Sequence, residues 1–215
     1  MKKSAAKTPV KHKILDAALS VIRSKGYAAT TLDELCASAG VTKGAFFHHF
    51  KSKEDLAVSA ARHWSSVTNE FFENAPYRRL SDPLERVFGY VDFRKEILRG
   101  KLPEFTCLVG TMVQEVFDTN PSIRKACQES IFGHAAEVAK DIQLAKKRYA
   151  PDSKWTAESL ALHIQAVIQG AFILAKAKQD ADIAAESVTH LRQYLEFLFE
   201  PSNLKKRRKL KLTAR

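Results

Sequence analysis

The chain has 215 residues, 45% of them hydrophobic, with only eight glycines and seven prolines, which favours long helices packed into one large or two small domains. Its three cysteines are too few for a disulfide framework, so reduced thiols in a cytoplasm are expected. The net charge is +11, but residues 1–13 hold five lysines and residues 205–215 seven Lys or Arg, with no acid in either; the remaining 23 cations face all 24 acids, so the body between the ends is near neutral.

The basic ends read as a disordered arm over 1–12 and a tail over 201–215, both able to touch phosphate. Lys2 and Lys3 are followed by no apolar segment, so no signal peptide is expected. The longest apolar run, near 167–175, is broken by Gln169 and falls short of a bilayer, so no membrane partner is expected.

From Lys13 to Lys25, Ile14, Leu15, Ala18, Val21 and Ile22 recur at helical spacing, and Gly26 suits the residue after a helix end. Thr31-Leu-Asp-Glu34 is a capping box opening a short helix with Leu32, Leu35 and Cys36 on one side. Gly40 breaks it, and Thr42 caps a second short helix to about Phe50. Ser52 opens a connector helix from Lys53 to about Phe72, with no Gly or Pro before Ala75. Further helices are expected from Asp82-Pro83 to Leu98, over 108–118, from Pro121 to Tyr149, from Thr156 to Gln179, and from a cap at Asp182 to Phe199; Gly100 and Pro103 mark a loop. The fold class is therefore all-α, about nine helices, with a boundary inside the connector near residue 65.

The informative segment is Thr30 to Phe50, two short helices joined at Ala39-Gly40-Val41, where glycine tolerates positive φ. Leu32, Leu35 and Val41, with Phe46 or Phe50, can pack on Ile14, Ala18 and Ile22, holding the second short helix outward for a major groove. The segment resembles the TetR family of helix-turn-helix regulators through Gly26-Tyr27, Thr30-Thr31, Leu35, Gly40-Val41-Thr42-Lys43-Gly44, His48-His49-Phe50 and Lys51-Ser52-Lys53-Glu54-Asp55-Leu56, over about residues 12–62. The resemblance implies a DNA-binding domain over 13–64 and an effector-binding and dimerisation domain over 65–200. It places Thr31, Thr42, Lys43, Gly44, Ala45, Phe47, His48, His49 and Lys53 at DNA-facing positions. Thr31 and Lys53 lie at helix starts that favour phosphate, and Lys43 is the candidate for a guanine edge. Position 47 departs from the family's usual tyrosine, so Phe47 offers only apolar contact.

The resemblance also implies a dimer on pseudo-palindromic operator DNA, released from it by a small-molecule effector. Phe88, Phe105, Met112, Phe117, Phe132, His134, His163 and Ile168 are the candidate pocket residues, with Phe93, Gln114, Glu115 and Gln169 beside them. The seam is expected along Leu160, Ile164, Val167, Ala171, Phe172 and Ala175, and along Val188, Leu191, Leu195 and Leu198. No HExxH, P-loop or GxSxG is present, so no enzyme, cofactor or metal is expected. Adjacent His48 and His49 point about 100° apart on a helix and chelate poorly with His63. A redox-responsive regulator using Cys107, and an effector-free DNA-binding protein, stand as the alternatives.

Overall fold

The computed structural model describes residues 9–200, so residues 1–8 of the expected arm and the expected tail over 201–215 lie outside the described residues. In chain order the helices are α1 (Val10–Lys25), α2 (Leu32–Ala39), α3 (Lys43–His49), α4 (Lys53–Glu73), α5 (Pro83–Glu96), α6 (Leu102–Phe105), α7 (Leu108–Val116), α8 (Pro121–Tyr149), α9 (Ala157–Lys178) and α10 (Asp182–Phe199), with a 3-10 turn at Pro76–Arg79 between α4 and α5. That is ten α-helices and no strand among the described residues, the all-α class expected. The additional helix is α6, a single turn over the stretch read as a loop around Pro103; an element of four residues is too short for periodicity to register.

Two helix starts differ from the sequence reading. Helix α1 begins at Val10 rather than Lys13, because the Pro9 carbonyl accepts from the His12 and Lys13 amides at 3.0 and 3.2 Å; the last residues assigned to the arm are therefore helical. Asp182 does not cap α10. It is the first residue of that helix, and its own amide donates to Asp180 Oδ1 at 2.9 Å. The other signals hold as expected: Asp82 Oδ1 accepts from the amides of Leu84 and Glu85 ahead of Pro83, and Thr156 Oγ1 accepts from Ser159.

The chain forms two compact units. The first runs to Thr68 and takes in Thr106–Ser130; the second holds Asn69–Phe105 and everything from Ile131 on. Segment 106–130, which the boundary near 65 had left with the second half, thus clusters with the first unit, where α7 packs on α1. Helices α4 and α8 each run unbroken from one unit into the other.

The core of the first unit is Ile14, Ala18 and Ile22 of α1, Leu35 of α2, Phe46 of α3 with Phe50 after it, and Leu56, Ala57 and Ala60 of α4. In the second unit α9 packs on α10 and α10 on α5. Both stripes expected to form a dimer seam are mostly spent here: Leu160, Ile164, Ala171, Phe172 and Ala175, and Val188, Leu191 and Leu195, are buried within one protomer. Helix α9 as a whole is long and apolar enough to cross a membrane by length and composition, although its longest apolar run, near 167–175, is short. The interruptions at Gln165 and Gln169 break a continuous run but leave the helix's average hydropathy high, and 44% of its most apolar window is buried in the protein.

Candidate functional site

The capping box at Thr31 forms as the sequence predicts. Thr31 Oγ1 accepts from the Glu34 amide, and Glu34 Oε2 takes the Thr31 amide at 2.9 Å. Gly40 adopts left-handed backbone, φ +62°, and lets the chain reverse so that the Val41 amide reaches the Cys36 carbonyl at 3.0 Å. Thr42 then caps α3, its hydroxyl accepting from Ala45 at 3.1 Å. The helix has two faces. Phe46 is fully buried against the core, whereas Thr42, Lys43, Gly44, Phe47 and His48 are exposed; Ala45 and His49 are half-buried. Phe47, at 53% exposure, is a large apolar ring held in solvent beside Lys43 and His48.

The loop joining α1 to α2 is fixed from α7. The Tyr27 and Ala28 amides donate to Glu115 Oε1 and Oε2 at 3.0 and 2.7 Å. Gly26 adopts φ +90°, ψ 164°, and a Cβ there would run into the Glu115 carboxylate. Lys53 closes the same loop from α4. Its ammonium donates to the carbonyls of Thr30 at 2.6 Å and Ala28 at 3.3 Å and lies 4.4 Å from the centroid of the Tyr27 ring. Burial lowers its pKa against the pull of Glu115. Lysine 53, expected at a phosphate, is thus already engaged as a strut of this loop.

The second unit contains a cleft. Phe72 and Glu73 from the end of α4, Tyr77 and Arg78 from the 3-10 turn, Arg86 and Tyr90 from α5, and His134, Glu137 and Asp141 from α8 line it. The rings are in contact, Phe72 to His134 at 4.8 Å and Tyr77 to Tyr90 at 5.8 Å between centroids. A buried polar chain runs behind them: Gln165 Nε2 donates to the Tyr90 hydroxyl at 3.0 Å, and that hydroxyl meets His134 Nε2 at 2.9 Å. Asp141 accepts from Arg78 Nη1 at 3.0 Å and Arg86 Nε at 2.7 Å. The cavity measures about 20 Å³, room for one water.

Two family models match the chain: "Bacterial regulatory proteins, tetR family" over residues 14–60, and "Transcriptional regulator LmrA/YxaF-like, C-terminal domain" over 83–185. The chain belongs to the TetR family. An HTH-type transcriptional regulator in the lacX 3' region of Lactococcus lactis subsp. lactis is 22% identical over 86% of this chain and 93% of that protein. YerO of Bacillus subtilis is 38% identical over 30% of this chain, a match spanning only 22% of YerO. The fold is shared with a TetR regulator from Chloroflexus aurantiacus, 25% identical with TM-score 0.75 over 86% of this chain and 93% of that one. It is shared too with one from Agrobacterium tumefaciens, 19% identical with TM-score 0.76 over 89% and 98%. This TetR chain is accordingly a DNA-binding transcriptional regulator with an N-terminal helix-turn-helix.

Among the pocket candidates, only His134 lines the cleft of this TetR protein. Phe117 and Phe132 are exposed, at 59% and 55%; Met112 is buried in the first unit and Ile168 in the second. Phe88 packs under the Arg192 guanidinium and against Phe199, Phe105 against Phe172, and His163 against Tyr194. Glu115 holds the α1–α2 loop, and Gln114 bonds back to the Gly110 carbonyl. Cys107 caps α7, its sulfur accepting from the Gly110 amide, while burial pushes the Cys127 thiol up to about 12. The sequence reading missed Tyr77, Tyr90, Asp141 and Gln165. Of these, Gln165 was the visible signal: a lone amide between Ile164 and Ile168 on an apolar helix face needs a partner.

His134 carries a pH prediction. Burial first, then Arg94 and Arg78, lower its pKa to about 3. The folded state keeps the imidazole neutral while the unfolded chain binds a proton near pH 6.5, so stability is full above that pH and falls as pH drops toward 3. The limit is about 1.4 kcal/mol per pH unit, or about 2 kcal/mol between pH 6.5 and 5. Asp82 and Glu34, whose carboxyls are held low, lose their contributions only at more acid pH. Denaturant unfolding at pH 7 and 5 is expected to show the loss in the wild type and not in His134→Gln; a flat wild-type profile refutes it.

Proposed function

We propose that the protein is a repressor that reads a pseudo-palindromic operator as a homodimer and leaves it when a small molecule enters the second unit. The observation supporting the reading mode is the outward face of α3, where Thr42, Lys43, Gly44, Phe47 and His48 are exposed over a buried Phe46. Lys43 is the base-edge residue, and Thr31, Ala45, His49 and Lys53 are secondary contacts. Because Lys53 also holds its loop, its loss weakens folding as well as phosphate contact.

The dimer seam falls on the outer sides of α9 and α10. Leu162, Ile173 and Leu174 project from α9 and Tyr194 from α10 as exposed large apolar groups, a stripe that one protomer leaves uncovered. Reading two adjacent half-sites requires the two recognition helices of a dimer to lie one duplex turn apart, about 34 Å. Light scattering that finds a stable monomer at working concentration removes this part.

The effector site is assigned to the cleft of Phe72, Tyr77, Tyr90 and His134, because it joins flat rings to a small number of hydrogen-bonding groups. At about 20 Å³ it must open before a ligand of ordinary size enters, so binding selects a different arrangement of its walls. One of those walls is the end of α4, the helix whose first residue braces the DNA-reading loop. No catalytic role is assigned. The test is selection of bound fragments from the source genome. Enrichment of a site with twofold symmetry is expected, and retention of all fragments alike at moderate salt contradicts it.

A further inference from the structure

The first turn of α2 carries two carboxylates, and only Glu34 takes part in its cap. Glu34 completes the capping box with Thr31 and pairs with Lys25, which together hold its carboxyl down at about 2. Asp33 is 74% exposed, takes no part in the capping box, and pairs with the Lys43 ammonium at 2.7 Å, Lys43 itself being 58% exposed. That ion pair ties the leading base-reading candidate to the helix before it.

We propose that Asp33 sets specificity by occupying Lys43 as an internal counter-ion, so that the lysine is released to a matching base edge but not to an arbitrary phosphate. The proposal rests on reading the α3 face as the DNA-contacting surface. Non-specific binding is phosphate neutralisation, and each neutralised phosphate adds about 0.9 to the salt slope. A lysine held by a carboxylate brings no net charge to that exchange. An exposed pair of this kind is weakly held. A bidentate base contact is stronger than such a pair and wins Lys43 away. A single surface phosphate gains little beyond what the pair already supplies. The hydrogen bond from Lys43 to Asp33, which raises the lysine's pKa, agrees with the pair forming in the absence of DNA.

The experiment measures affinity against salt for a random duplex and for the selected operator, using wild type, Asp33→Asn, Lys43→Ala and the double variant. Asp33→Asn is expected to tighten the random duplex about tenfold near 0.1 M salt and to steepen its salt slope by about one phosphate. The operator is expected to gain less and keep its slope, so discrimination falls several-fold. In the Lys43→Ala background, Asp33→Asn is expected to leave the slope unchanged, because no lysine is left to release. Asp33→Glu keeps the charge and is expected to behave as wild type. Equal slope changes in both lysine backgrounds, or none in either, would overturn the proposal. Wild-type protein that binds no duplex at all would overturn the reading beneath it, and the proposal with it.

Discussion

Gly26→Ala is expected to destabilise the DNA-reading unit by about 3–5 kcal/mol, a large share of the 5–15 kcal/mol that holds a typical domain. Two costs add. Backbone near φ +90°, ψ 164° belongs almost wholly to glycine, and a side chain held there costs about 1–3 kcal/mol. The new methyl also meets the Glu115 carboxylate, which must then leave the Tyr27 and Ala28 amides. A part-buried amide without its acceptor costs about 1–3 kcal/mol more. Glu115→Ala removes the acceptor but leaves the backbone unstrained, so it is expected to cost less than Gly26→Ala. In the double variant the methyl has room, so the two losses should sum to more than the measured total. Thermal melts of the four proteins check this. A Gly26→Ala protein melting with the wild type contradicts the geometry of the loop.

Asp141→Ala is expected to lower stability by about 2–3 kcal/mol, through the second unit. Asp141 is the shared acceptor of Arg78 and Arg86, with side chains 12%, 28% and 17% exposed. Removing one partner of a buried pair typically costs about 3–5 kcal/mol, reduced here because Arg78 can turn to water. Arg86 keeps its bonds to the Leu80 and Ser81 carbonyls, so the turn before α5 stays anchored while Arg78 is freed. Asp141→Asn, which keeps an acceptor oxygen, is expected to lose less. The denaturant midpoint is the readout, and a shift worth under about 0.5 kcal/mol for Asp141→Ala would show the network to be idle.

The helix-turn-helix was legible because its signals are local. The capping box at Thr31, the left-handed Gly40 and the cap at Thr42 each act within four residues, and Phe46 against Phe47 follows from helical spacing. What stayed hidden depends on pairings between distant helices. Periodicity shows that Phe117 and Phe132 share helices with buried residues, but not that these two rings sit on the solvent side. Glu115 reads as a polar residue near a pocket until α7 is seen to reach the α1–α2 loop, 88 residues away in sequence. The cleft eluded the sequence for the same reason. Its walls come from four elements, one of them a 3-10 turn with no period to detect.

The central claim is that the exposed face of α3, led by Lys43, reads sequence. The most direct measurement compares Lys43→Ala with wild type on the selected operator and on random duplex of equal length at one fixed salt concentration. A loss of roughly 1–3 kcal/mol confined to the operator is expected, with the random duplex nearly unchanged. An equal loss on both duplexes, or no loss on either, would contradict it.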